Sequence, residues 1–153
     1  MAAVNIQKKS MNKYDKAIDD LSHFMIRQSM YLLSGASDGT VVQSGNFWQI
    51  VSFITGYDTA AEVLKGHFER WIVLNTDIKS YFNYAFPIQI VVLVNSRLSS
   101  SNTIKENQYL SQYDDEYIEL LFDLLLRFLN DVKQNPEERL AELDIRFNKR
   151  VLE

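Results

Sequence analysis

The chain has 153 residues, 46% of them hydrophobic and 24% charged, with 16 Lys+Arg against 20 Asp+Glu and no cysteine. A domain of this length buries about two-thirds of the surface its unfolded chain exposes, and the apolar content excludes a disordered polypeptide. The lack of cysteine excludes disulfide scaffolds, thiol nucleophiles and Cys-based zinc or iron–sulfur sites, and a net charge of -4 gives no general reason to expect nucleic-acid binding.

Residues 1–12 form a polar, basic arm. Lys8, Lys9, Lys13 and Lys16 against Asp15 leave the first sixteen residues at +3, whereas residues 104–153 sum to -5. Such an arm on an acidic body is suited to docking on a neighbouring copy or on an anionic surface. The remainder, 13–153, reads as a single helical domain. Its first helix spans about Lys13 to Leu33, with Asn12 as cap and Asp15 three residues on. Tyr14, Ile18, Leu21, Met25 and Leu32 recur at helical spacing along it.

Ser34 to Gly45 is a loop by composition, holding three of the five glycines. Asn46 to Gly56 reads as a short helix with Asn46 as cap and Gly56 as stop, although its β-branched and aromatic content also permits a strand. A new helix is expected from Asp58 to about Asn75, burying Ala61, Leu64, Phe68, Trp71 and Ile72. Thr76 opens another short one through Phe86, which Pro87 interrupts. Ile88 to Leu98 is either a short strand at 88–94 or a buried helix; with no strand partner of similar strength nearby, the helix is expected.

The serine-rich stretch at 99–103 reads as a hinge. Tyr113 to Gln134 is the strongest helix, and Asn135-Pro136-Glu137-Glu138 opens the last one with cap, proline and acidic first turn in order. Leu140, Leu143, Phe147 and Val151 give its apolar stripe. The fold class is therefore all-α, an irregular bundle of five to seven helices.

Residues able to do chemistry are sparse. His23 follows Asp19 by four residues and Asp20 by three on one helix, which is the spacing of a surface carboxylate–imidazole pair. A metal site would need further ligands from other segments, and only His67 and scattered carboxylates are available. The glycine-rich loop has no phosphate-binding spacing, and no lysine or arginine lies between Ala36 and Leu64. No catalytic, cofactor-binding or metal-ligating set is assigned.

The informative feature is the helix at 117–132. Glu116, Glu119, Asp123, Arg127, Asn130 and Gln134 make one narrow polar stripe, and apolar residues fill the rest. A helix apolar nearly all round is either central in its bundle or partly covered by another subunit. Tyr113, Tyr117, Phe122 and Phe128 are accordingly candidate contact residues, together with Lys8, Lys9 and Lys13 of the arm.

The expected function is a non-enzymatic structural or assembly protein, oligomeric or part of a larger particle such as a viral head–tail adaptor. The alternative is a small regulator that binds one partner protein, and a small enzyme built around Asp19, Asp20 and His23 comes third. The expected partners are proteins, self or other, with nucleic acid reached only through the arm. Met1 to Ser10 offers no apolar core for a signal peptide, and the longest apolar run, Ile90 to Val94, is far below the ~18–20 residues of a membrane span. A cytoplasmic or particle-borne location, rather than a secreted one, follows as the expectation.

Overall fold

Asn12 opens the first helix as its composition suggests. Its side-chain oxygen accepts the Tyr14 N–H at 2.8 Å, and its carbonyl accepts the Lys16 N–H at 3.0 Å. A computed structural model describes residues 12–37, 46–78, 84–98 and 106–152, with the backbone alone described for 26–37 and 46. Among these residues every regular element is helical: α1 (Lys13–Ser37), α2 (Asn46–Ala61), α3 (His67–Asn75), α4 (Phe86–Leu98), a 3-10 turn (Ser111–Tyr113), α5 (Asp114–Val132) and α6 (Pro136–Leu152). Lys8, Lys9 and the hinge expected at 99–103 lie outside the described residues.

Helix α5 is the axis. It packs against α1, α2, α3, α4 and α6, and α3 in turn packs against α4 and α6. This decides between the two readings of its apolar circumference. Tyr117, Leu121, Leu125, Phe128 and Leu129 are fully buried, and Glu116, Glu119, Asp123, Arg127 and Asn130 form the exposed stripe. Each such large side chain removed from water contributes about 1.5–3 kcal/mol, so this helix organises much of the core. Helix α4 is equally buried, with Ile90 to Asn95 all shielded, and the strand alternative at 88–94 is overturned. Pro87 falls in the first turn of α4, where its missing N–H costs nothing.

The expected boundaries fail at three places. Helix α1 continues four residues past Leu33, through Ser34–Ser37, so the loop begins later than composition implies. Helix α2 runs straight through Gly56 and Asp58 to Ala61, so neither residue ends or begins a helix there. The break comes instead at 62–66, where Glu62, Lys65 and Gly66 adopt positive φ. Asp58 builds that turn: its carboxylate accepts the N–H groups of Val63 and Leu64 at 2.8 Å each and of Lys65 at 3.3 Å. The helix expected at Thr76–Phe86 is not found in its described parts, since 76–78 and 84–85 are non-helical.

Helix α6 begins at Pro136 as expected, and Asn135 donates to the Glu138 carboxylate at 2.5 Å. Leu143 is buried and Leu140 and Phe147 are half-buried against the core, but Val151, expected on the same buried stripe, is 47% exposed near the end of the helix. Arg70 clamps α6 to α3 through Asp144 at 2.5 Å and lies over the Phe147 ring.

Candidate protein interface

Helix α2 has one charged residue in sixteen, Asp58, and its carboxylate is taken by the turn that follows. Phe47, Ile50, Val51 and Ile54 turn inward against α5 and neighbouring elements. The outward face carries Trp48, Gln49, Ser52, Phe53, Thr55, Gly56, Thr59 and Ala60, with no charge among them. Ser52 and Thr59 satisfy their hydroxyls on the helix's own carbonyls, those of Trp48 and Thr55.

Two aromatics stand on this face. Trp48 is 37% exposed and Phe53 43%. Both are braced from behind. Trp48 packs edge-on against Phe47 and Tyr109, with ring centroids at 5.1 and 5.5 Å. Phe53 stacks on Phe24 of α1 at 3.9 Å and lies beside Tyr57. Tyr57 is fixed in turn, its hydroxyl donating to Asp20 at 2.8 Å. Burial and the adjacent Asp20 carboxylate push the Tyr57 phenol well above its ordinary range, so it stays a protonated donor. The Lys16 ammonium and that same hydroxyl hold Asp20 below the usual carboxylate range.

The N-terminus of α2 is also anchored from outside. Its Phe47 N–H donates to Asp114 Oδ1 at 3.2 Å, and the Tyr109 hydroxyl donates to the same oxygen. Asp114 is buried and opens α5, so one carboxylate serves the positive ends of two helices. Trp48 and Phe53 therefore sit on a rigid element with their rotamers supported by a second layer of rings.

The residues expected from sequence lie elsewhere. Tyr117, Phe122 and Phe128 are 0%, 2% and 0% exposed and belong to the chain's own core. Tyr113 is half-buried at the start of α5. Lys13 is exposed and donates to the Glu62 carbonyl at 3.0 Å, tying α1 to the turn after α2. His23 and Asp19 are both exposed; the ring Nδ1 lies 2.7 Å from the Asp19 carbonyl oxygen and 3.6 Å from its carboxylate. Asp20 points instead to Lys16 and Tyr57, so the three expected residues do not converge. His67 lies 3.5 Å from Asp144, beside the Arg70 clamp. Among the described residues no group of three His, Asp or Glu side chains is placed to hold a metal ion.

Trp48 and Phe53 were not among the expected contact residues. The signal in the sequence is the uncharged outer face of 46–60, which Gly56 and Asp58 obscure by reading as the end of one helix and the start of the next. Comparison of the chain with known protein families, known proteins and solved structures finds no match. Among the described residues no helix is long and apolar enough to cross a membrane.

Proposed function

We propose that this protein is a non-enzymatic assembly protein that joins another protein, a second copy or a different subunit, through the outer face of α2. The observation that carries this reading is the charge-free exposed surface of that helix with Trp48 and Phe53 braced in place. Interface centres are depleted of charge and enriched in aromatic residues, and preorganised aromatic anchors contribute most of the binding energy. Ser52, Gly56 and Ala60 continue the exposed row from Trp48 at successive helical turns and let a partner approach closely.

The test is the mass in solution over a range of concentrations, by light scattering or sedimentation, for the wild type and for Trp48→Glu and Phe53→Glu. A defined multimer that the two variants convert to a folded monomer supports the reading. A wild-type protein that stays monomeric, and a partner screen in which neither variant loses any bound protein, sinks it. A monomer that captures one partner through Trp48 and Phe53 would make the protein a regulator using the same face.

A further inference from the structure

Helix α6 carries two apolar rows. Leu140, Leu143 and Phe147 turn toward the core, and Asp144 beside them is held by Arg70. At about 100° of rotation per residue, Ala141, Ile145, Asn148 and Leu152 gather on a different side of the helix, and all four are exposed. Ile145 is 58% exposed although it lies well inside the helix. The row advances by four, three and four residues, which is the a/d repeat of a coiled-coil seam. Charge along the helix is divided by sign. Glu137, Glu138 and Glu142 lie in its first half, and Arg146, Lys149 and Arg150 in its second. Arg139, the exception in the first half, reaches Asp131 of α5 at 4.0 Å. The other ion pairs of α6 among the described residues are those of Asp144 with Arg70 and His67, so Glu142 and Lys149 take part in none.

A helix with an acidic first half and a basic second half is complementary to itself when reversed. A two-fold axis passing between Arg146 and Phe147 sets Ile145 opposite Asn148 of a second copy, and Ala141 opposite Leu152 of that copy, each twice. The smallest residue of the row thus receives a large one. In the same register Glu142 and Lys149, each following a d position, flank the seam on one side, and Glu142 meets Lys149 of the second copy on both sides of the axis. The helix dipoles also oppose one another. A parallel pair would instead set Glu142 against Glu137 of the second copy. Its compensating pair, Asp144 with Lys149, uses a carboxylate that Arg70 already occupies.

We propose that the exposed row of α6 is a self-association site, occupied by α6 of a second copy running antiparallel, with Ile145 and Leu152 in the seam and reciprocal Glu142–Lys149 ion pairs beside it. The inference does not rest on the α2 reading, because a different helix carries it. The seam has four layers, fewer than the about three to four heptads of a free-standing coiled coil, so the contact is small and weak. Variants that lose the α2 face therefore remain monomers in dilute solution and pair through α6 as concentration rises. Two unlike faces on one subunit, one uncharged and one charge-patterned, keep the two contacts from being exchanged.

Sedimentation equilibrium of the full chain carrying Trp48→Glu and Phe53→Glu tests this with the α2 face removed. The mass should rise from one chain to two with concentration, and Ile145→Asp should abolish the rise. Glu142→Lys and Lys149→Glu should each weaken the dimer about ten-fold, since each turns two attractive pairs repulsive, and the two together should restore it. The register has its own readout, because the chain has no cysteine. An equal mixture of Ala141→Cys and Leu152→Cys chains, one of them tagged, should form the mixed disulfide dimer faster than either symmetric one. A protein that stays monomeric at its highest soluble concentration overturns the proposal, as does a dimer indifferent to Ile145→Asp. A dimer that Glu142→Lys strengthens, a charge reversal without rescue, or symmetric disulfides forming as fast as the mixed one would equally overturn the antiparallel pairing. Circular dichroism verifies that all variants are compared in folded protein.

Discussion

Asn95 and Tyr117 are both almost completely buried, at 1% and 0% exposure, and each is fully engaged. The Tyr117 hydroxyl donates to Asn95 Oδ1 at 2.6 Å and accepts the Leu110 N–H at 3.2 Å, while Asn95 Nδ2 donates to the carbonyls of Glu106 and Gln108. Two side chains on α4 and α5 thereby fasten the incoming loop 106–110 to the core. Tyr117→Phe keeps the ring and its contacts with Phe47 and Tyr109 but leaves a buried amide oxygen and a backbone N–H unpaired. The expected cost is about 1–3 kcal/mol, read as a lower urea midpoint at unchanged m-value. A midpoint within error of the wild type would show that water replaces the hydroxyl. None of this pairing is legible in the sequence: Asn95 reads only as a polar residue late in the helix expected at 88–98, and Tyr117 as a contact residue, because sequence spacing does not reveal which side chains from distant segments meet.

At the scale of elements, the instructive pair is Gly56 and Gly66. Gly56 is in the interior of α2, on its outer face, with no atom within 4 Å of where a Cβ would stand. Alanine there gains helix propensity and meets no clash, so Gly56→Ala should stabilise the protein by up to about 1 kcal/mol. Gly66 precedes α3 at φ 79°, a backbone conformation that costs an L-residue energy, so Gly66→Ala should destabilise by about 1–2 kcal/mol. Opposite shifts in thermal midpoint for the two substitutions are the expected result, and shifts of the same sign would contradict the placement of the break at 62–66. The sequence made Gly56 look like a stop because glycine commonly follows a helix. Here the inward packing of Phe47, Ile50, Val51 and Ile54 outweighs that local preference, and Asp58 reaches forward to organise a turn rather than starting a helix.

The molecule as a whole is tied together by tyrosines. Tyr14 on α1, Tyr57 on α2, Tyr109 in the loop before α5 and Tyr117 on α5 all have phenols pushed above the ordinary value of 10, in each case chiefly by burial. Asp20 adds to the effect at Tyr57 and Asp114 at Tyr109. The folded state therefore holds these protons more tightly than the unfolded chain. Their contribution to stability is complete below pH 10 and is lost as pH rises above it. The expected outcome is cooperative alkaline unfolding, with part of the tyrosinate absorbance appearing only as the helical circular dichroism collapses. Full tyrosine ionisation near pH 10 with the helices intact would contradict the buried hydroxyl network.

Much of this architecture could be read from residue order alone. Helical class, the caps at Asn12 and Asn135, the dominance of 117–132 and its polar stripe all follow from local spacing, because a helix repeats every 3.6 residues and its caps need particular side chains within a turn. Whether that apolar circumference belonged to a core or to a neighbour was not a local question. The tertiary structure decided it by surrounding α5 with five helices, burying Tyr117, Phe122 and Phe128 and leaving Trp48 and Phe53 outside. Which apolar residues stay exposed depends on what packs against them, and that is fixed by contacts between segments dozens of residues apart.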